Sequence, residues 1–144
     1  MTGAIEVQTC SRCSYDAIVF QEYSGQHLCG RHLSSSIRKR TSRELRAQLS
    51  LPKKATKDDG SPFIILIAVS GGKDSAVLLS MMADIIGRRR DVELVAGCVD
   101  EGIDGYRAPS MEFARELADS LSLRFETLSY EEMGYGRMDE VVKL

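Results

Sequence analysis

The sequence predicts an α/β fold, a parallel sheet with helices on its faces, preceded by a small metal-binding module. From Phe63 onward, short apolar strand-like segments alternate with amphipathic helical ones, the pattern of a parallel sheet wound with helices. Three of the four cysteines fall in the first thirty residues, in pairs with each other and with a histidine. A glycine-rich turn joins the first long strand to the first helix behind it.

Composition sets the frame. The chain has 144 residues, 43% hydrophobic and 28% charged, an ordinary balance for a globular protein. Its net charge of −2 hides an asymmetry: residues 1–60 carry +4 and residues 61–144 carry −6. The longest apolar run, Phe63 to Val69, is too short to span a bilayer. Met1 leads into polar residues with no apolar secretory segment. A cytoplasmic protein is expected, and in a reducing compartment clustered cysteines favour metal ligation over disulfides.

Three regions follow one another, with boundaries expected at 1–33, 34–62 and 63–144. The first is rich in cysteine, histidine and small turn residues. The second begins with a helix over 34–51, capped by Ser34, Ser35 or Ser36, with Ile37, Thr41, Leu45 and Leu49 along one face. That helix carries Arg38, Lys39, Arg40, Arg43 and Arg46, either a solvated face or a surface for phosphates. Pro52 closes it, and Lys53 to Pro62 is a linker.

In the third region, Phe63 to Val69 reads as a strand buried on both faces. Ser75 to Ile86 is a helix ending near Gly87, with Met81 and Met82 packed inward, and Glu93 to Val99 is a second strand. Pro109 suits the first turn of a second helix, whose apolar face is Met111, Phe113, Ala114, Leu117, Ala118 and Leu121. Arg124 to Tyr130 alternates as a third strand. Glu131 to Leu144 folds back as a weak helix at most, given Gly134 and Gly136.

Cys10-Ser-Arg-Cys13, fifteen residues, then Cys29-Gly-Arg-His32 gives two ligands on each of two turns. Such a set closes a tetrahedron around structural Zn2+ with no open position, and the metal supplies folding free energy that so small a segment lacks. The alternative is a set of unmetallated thiols. His27 is a rival ligand, though the paired spacing favours His32.

Ser70-Gly71-Gly72-Lys73-Asp74-Ser75 lies between a strand and a helix. Glycines let backbone amides approach an anion, and the helix N-terminus favours negative charge there. Ser70 and Ser75 add hydroxyls and Lys73 a cation. The Walker A pattern is excluded, because Ile67 and Asp74 stand where glycine and Ser/Thr belong. The dinucleotide pattern Gly-x-Gly-x-x-Gly is absent as well. The bland alternative is a plain strand-to-helix turn.

This loop resembles that of the PP-loop ATP pyrophosphatases, and the chain as a whole resembles the amino-terminal portion of their tRNA 2-thiolation branch. The quartet Cys10, Cys13, Cys29 and His32, the loop, and the segment from Val99-Asp100-Glu101-Gly102-Ile103 to Arg107 carry the resemblance. It implies a PP-loop sheet of the HUP-like, Rossmann-like type and an ATP-dependent tRNA sulfurtransferase. Ser70 to Ser75 would hold the departing phosphates, backbone groups at Val69 and Val99 would read adenine, and Asp100 would line the site. Lys73 and Asp74, the catalytic pair, would position Mg2+ and neutralise charge on the leaving group. The implied partners are tRNA and a sulfur donor or sulfur-carrier protein, with no membrane.

Many members of that branch hold an iron–sulfur cluster on three cysteines. Beyond the zinc set this chain has only Cys98, so no iron–sulfur cluster is expected from it. The family sheet continues past three strands, so this one is expected to be incomplete, with Phe63 to Val69 at an open edge. A homodimer or partner chain would cover that edge. A truncated zinc- and nucleotide-binding module without turnover, or another PP-loop ligase or amidotransferase, are the alternative functions.

Overall fold

The computed structural model of the protein describes residues 6–105 and 107–143, the Arg107 side chain excepted. Tyr106, within the segment that carries the resemblance, therefore lies outside the described residues. The chain divides into two compact units, residues 1–50 and 51–144.

The first unit is a hairpin followed by a helix. Strands β1 (Val19–Gln21) and β2 (Gln26–Leu28) pair antiparallel, with Phe20 opposite His27. The fully buried Leu28 is the centre of its small core. Helix α1 (Gly30–Gln48) starts four residues before the serines expected to cap it. Its N-cap is Cys29, which makes no side-chain capping bond, and Ser34, Ser35 and Ser36 lie within the helix. No residue of α1 is fully buried, and its last turn carries Arg46, a sign that suits the helix dipole.

The second unit is a three-stranded parallel sheet in the order β3 (Phe63–Ala68), β4 (Val92–Asp100), β5 (Arg124–Ser129). Helix α2 (Lys73–Ile86) joins the first pair and α3 (Arg107–Ser120) the second. Each connection links a strand to its neighbour in the same direction, so right-handed crossovers put both helices on one face. On that face Ile67, Leu94, Ala96 and Cys98 are buried, with Leu79, Met82 and Ile86 of α2 and Ala114 and Ala118 of α3. Leu79 and Ala118 have no exposed surface, whereas Phe113, assigned to the packed face of α3 from the sequence, is 62% exposed.

The other face is less covered than the unbroken apolar run of β3 suggests. Ile64 and Leu66 are exposed there, Leu66 by 62%, together with Val99 and Leu128. Leu66 lies over Gly97, where a Cβ would meet the tip of its side chain at 2.8 Å. Arg124 ties strand to strand on this face through Glu93 at 3.6 Å, with Glu126 at 3.3 Å. After β5 the chain makes turns and a single short helix, α4 (Met138–Val141), rather than a longer helix over 131–144.

The segment before β3 is tied down electrostatically. Asp91 accepts two guanidinium bonds from Arg89, at 3.0 and 2.6 Å, and the Ala55 N–H at 2.6 Å, while Arg89 also donates to the Pro52 carbonyl at 2.9 Å. Arg89 first, and then the Ala55 amide, hold the Asp91 carboxyl well below the usual carboxylate range. A depressed folded-state pKa stabilises the protein above the unfolded value near ~4 and loses that contribution as pH falls through the folded one. Asp91→Asn should therefore be less stable than wild type at pH 7 in urea unfolding, with the gap shrinking steadily below about pH 4.

Candidate functional site

In the first unit, two backbone turns carry the metal quartet. Cys10 donates its N–H to the Tyr15 carbonyl and Cys13 its N–H to the Cys10 carbonyl, while the Arg12 N–H points at the Cys10 sulfur at 3.5 Å. The second pair sits on α1, Cys29 at the N-cap and His32 in the first turn, three residues apart and so on one face. The four ligand atoms all lie within 4.8 Å of one another. The Cys13 and Cys29 sulfurs are 3.7 Å apart, and His32 Nδ1 is 3.4 Å from the sulfurs of Cys10 and Cys29. A tetrahedral zinc with bonds of about 2.3 Å to sulfur sets sulfurs about 3.8 Å apart, so the spacing fits one such ion.

The electrostatics agree with ligation. Burial pushes the Cys10 thiol up, but the N–H groups of Cys29 and Arg12 and the His32 ring favour its thiolate and bring it to about 6. At Cys13 the Tyr15 amide favours the thiolate, yet burial and the neighbouring Cys10 and Cys29 outweigh it and raise the pKa. Crowded thiols that cannot all ionise together are what a cation resolves. His27, the rival ligand, sits in β2 with its ring 4.8 Å from that of Phe20, outside the quartet.

In the second unit, the glycine-rich loop leaves the end of β3 and opens α2. Gly71 has φ +84°, and a Cβ there would stand 2.3 Å from the Ser110 carbonyl oxygen of α3. Only glycine fits, on both counts. Gly72 is the N-cap of α2, and its N–H donates to Ser70 Oγ at 3.3 Å. The Ser70 N–H donates to Ser75 Oγ at 3.1 Å, and Ser75 Oγ donates to the Gly72 carbonyl at 3.2 Å, so the two serines clamp the turn from inside. The Ala76 N–H makes the first bond of the helix, to Gly72, leaving the amides of Lys73, Asp74 and Ser75 without intrahelical acceptors. The Lys73 and Asp74 side chains are exposed at this end, and Asp74 suits the positive end of the helix.

A cavity of about 430 Å3 opens on the uncovered face of the sheet, beside the loop. Leu66, Val99 and Leu128 form an apolar shelf, Ser70 and Ser75 bring it to the loop, and Glu101 and Glu126 add carboxylates. This is the crevice at the carboxyl ends of parallel strands where such sheets bind ligands, and its size suits a small molecule. Val69 and Val99 both line it. The Val69 N–H is already given to the Gly97 carbonyl at 2.7 Å.

Asp100 stands elsewhere. Its carboxylate accepts the Gly102 N–H at 2.8 Å, and it lines a separate polar pocket with Gly102, Asp104 and Arg137. Arg137 pairs with Asp104, and the Asp104 N–H donates to Asp139 at 2.7 Å, so the loop after β4 is pinned by the chain before and within α4. Glu126, Thr127 and Leu128 line the larger cavity without having been chosen from the sequence, and Glu101, in the acidic segment after β4, lines it too. The pairing of Gly97 with Glu126 and of Val99 with Leu128 places them, and it is a register that the sequence alone does not give.

A parallel α/β sheet with a clamped glycine turn at its strand ends is the arrangement of a phosphate-loop domain, and this chain adds a cluster of four side chains that could hold a metal. The chain belongs to the PP-loop domain family, whose model matches residues 42–140. Residues 9–34 match the model of the 2-thiouridine synthetase TtuA N-terminal LIM domain. The chain is 40% identical over 134 residues to the tRNA 2-thiolation protein NcsA of Haloferax volcanii, covering 93% of this chain and 41% of that protein. It is 32% identical over 139 residues to a probable sulfurtransferase of Methanocaldococcus jannaschii, covering 96% of this chain and 38% of that one. Among solved structures, the U34-tRNA thiolase NcsA of Methanococcus maripaludis with its [4Fe-4S] cluster has the same fold, with TM-score 0.71 and 23% identity. The match covers 96% of this chain and 44% of that one. The chain thus spans about two fifths of the length of the relatives it matches.

That neighbour overturns one expectation. The cysteine count argued against an iron–sulfur cluster, yet the neighbour carries one. The count covered 144 residues, less than half of that protein's length, and it reserved Cys10, Cys13 and Cys29 for zinc although they bring three thiols together. The expectation of no cluster is withdrawn. Of the described residues, no helix is long and apolar enough to cross a membrane.

Two outcomes follow from this geometry. Gly71→Ala should lower stability by about 1–3 kcal/mol through the left-handed backbone alone, with a further loss from the contact at Ser110, read by urea unfolding. Titration of metal-free protein with Co2+ should saturate at one equivalent with thiolate charge-transfer bands, and His32→Ala should weaken that binding at least tenfold.

Proposed function

We propose that this chain is the nucleotide-activating portion of an ATP-dependent tRNA sulfurtransferase, with a structural zinc at Cys10, Cys13, Cys29 and His32. The observation that carries the reading is the clamped glycine loop opening onto a ligand-sized cavity at the strand ends. The likeness of residues 9–34 to a thiouridine synthetase module favours tRNA thiolation over the other reactions run on this type of loop.

In this reading Ser70 to Ser75 bind the β and γ phosphates of ATP through the open amides of α2, the serine hydroxyls and the Lys73 ammonium. The adenine lies against the apolar shelf, meeting backbone atoms at Val69 and Val99. Because the Val69 N–H is spent on Gly97, the contact from Val69 falls to its carbonyl. Asp74 orients Mg2+, which when bound screens the phosphate charge and assists departure of the leaving group. A carbonyl oxygen of a pyrimidine in tRNA attacks the α phosphorus, and the bond to the β phosphate breaks as pyrophosphate leaves. Sulfur from a donor or carrier protein then adds to the activated carbon, and AMP departs with the former carbonyl oxygen. Asp100 acts as a positioning residue, holding the turn at Gly102 beside this crevice.

The test is calorimetric ATP binding with Mg2+, paired with single-turnover pyrophosphate release on unmodified tRNA. Asp74→Ala and Lys73→Ala should each reduce pyrophosphate release by about 100-fold or more, the scale of losing one preorganised electrostatic contact, without unfolding the chain. Undiminished release by both variants would sink the assignment of the loop.

A further inference from the structure

A second concavity, within the first unit, belongs neither to the quartet nor to the loop. It has a volume of about 390 Å3 and lies between the hairpin, the turn after Cys10 and one face of α1. Ser36, Lys39, Arg40 and Arg43 line it from the helix. Their spacing of three, four and seven residues sets all four on one stripe. Arg12 lines it from the metal turn and Tyr23 from the hairpin. Four cations therefore meet in one pocket, and no carboxylate lines it.

The cations are positioned rather than splayed. Arg12 is fixed by two bonds to Gln26 Oε1, at 3.0 and 2.8 Å. Arg40 lies over the Tyr23 ring, 4.5 Å from its centre. Ser36 first, and Arg40 after it, draw the Tyr23 phenol below its ordinary pKa. Arg43 pairs with Glu44 at 3.5 Å, both side chains being more than half exposed, a contact that solvent screens heavily. Tyr23 itself is 64% exposed, an aromatic surface beside a cluster of positive charge.

We propose that this pocket grips the RNA substrate, taking backbone phosphates on Arg12, Lys39, Arg40 and Arg43 and an unpaired base on Tyr23. Guanidiniums match phosphate oxygens in pairs, and an aromatic ring among cations is the combination by which proteins hold single-stranded nucleic acid. An acidic protein segment would satisfy the charges but leave the exposed ring unexplained. The identity of the RNA as tRNA rests on the function proposed above.

The experiment uses the full chain, zinc-loaded, with fluorescein-labelled unmodified tRNA transcript read by anisotropy across a salt series. Lys39→Glu and Arg43→Glu should each weaken binding by about tenfold or more and flatten the salt dependence by about one unit of slope or more. Arg38→Glu, an equal charge change on the far side of the same helix, should cost a few-fold at most, and Tyr23→Leu should weaken binding about tenfold. Circular dichroism and zinc content identify any variant that fails to fold. Equal losses in Arg38→Glu and the pocket variants would reduce the effect to diffuse charge and overturn the site. So would wild-type affinity in the pocket variants, or a poly-glutamate peptide binding as tightly as RNA. ATP binding and pyrophosphate release are read separately, so either result leaves the thiolation reading standing. A wild-type chain that binds no RNA overturns both.

Discussion

At Gly71 the chain has no room for a side chain. Its backbone turns left-handed while lying against the start of α3, and a single added carbon would sit 2.3 Å from a carbonyl oxygen. That contact links three things that are separate in sequence: the end of β3, the first turn of α2, and the α3 residue Ser110. The serine clamp then sets the loop from within, through Ser70 and Ser75. The direction of the open amides of α2 is thus fixed by packing before any ligand arrives. Preorganised donors of this kind stabilise developing charge without the cost of reorientation.

The two units are held together by different physics. In the second, Leu79, Ala96 and Ala118 are fully buried between helices and sheet, and apolar burial dominates. The first has little such material: Leu28 is its one fully buried large side chain among the described residues, and α1 buries none. An ion bound to the quartet would supply the folding free energy that a segment of this size lacks. Cys29 shows the link most directly. It stands where a serine or aspartate would cap the helix, and makes no side-chain capping bond of its own.

Much of this was legible from residues alone, for identifiable reasons. The metal quartet and the loop are local patterns, each with its ligands or donors close in sequence. The strand and helix alternation is local too, and β3, β4 and β5 fall within a residue or so of where periodicity puts them. What failed depended on neighbours. The serines at 34–36 read as caps because nothing local says that Cys29 already stands at the helix start. The run Phe63 to Val69 read as buried on both faces, but apolar character cannot show that both helices lie on one side. The hairpin of β1 and β2 is three residues per strand, too short for periodicity to reveal.

The position of Cys29 and His32 on α1 does more than complete a coordination sphere. Successive helical residues are rotated by about 100° around the axis, so whatever pins the first turn sets the angular phase of every residue after it. With two candidate ligands in that turn, an ion bound to the quartet would act as an index mark for the helix. Were the helix to start one residue later, Lys39, Arg40 and Arg43 would swing by about 100°, away from Tyr23 and Arg12. An ion held there would thus key the direction of a charge cluster two to three turns along the rod from the four ligand atoms, with no bond between them.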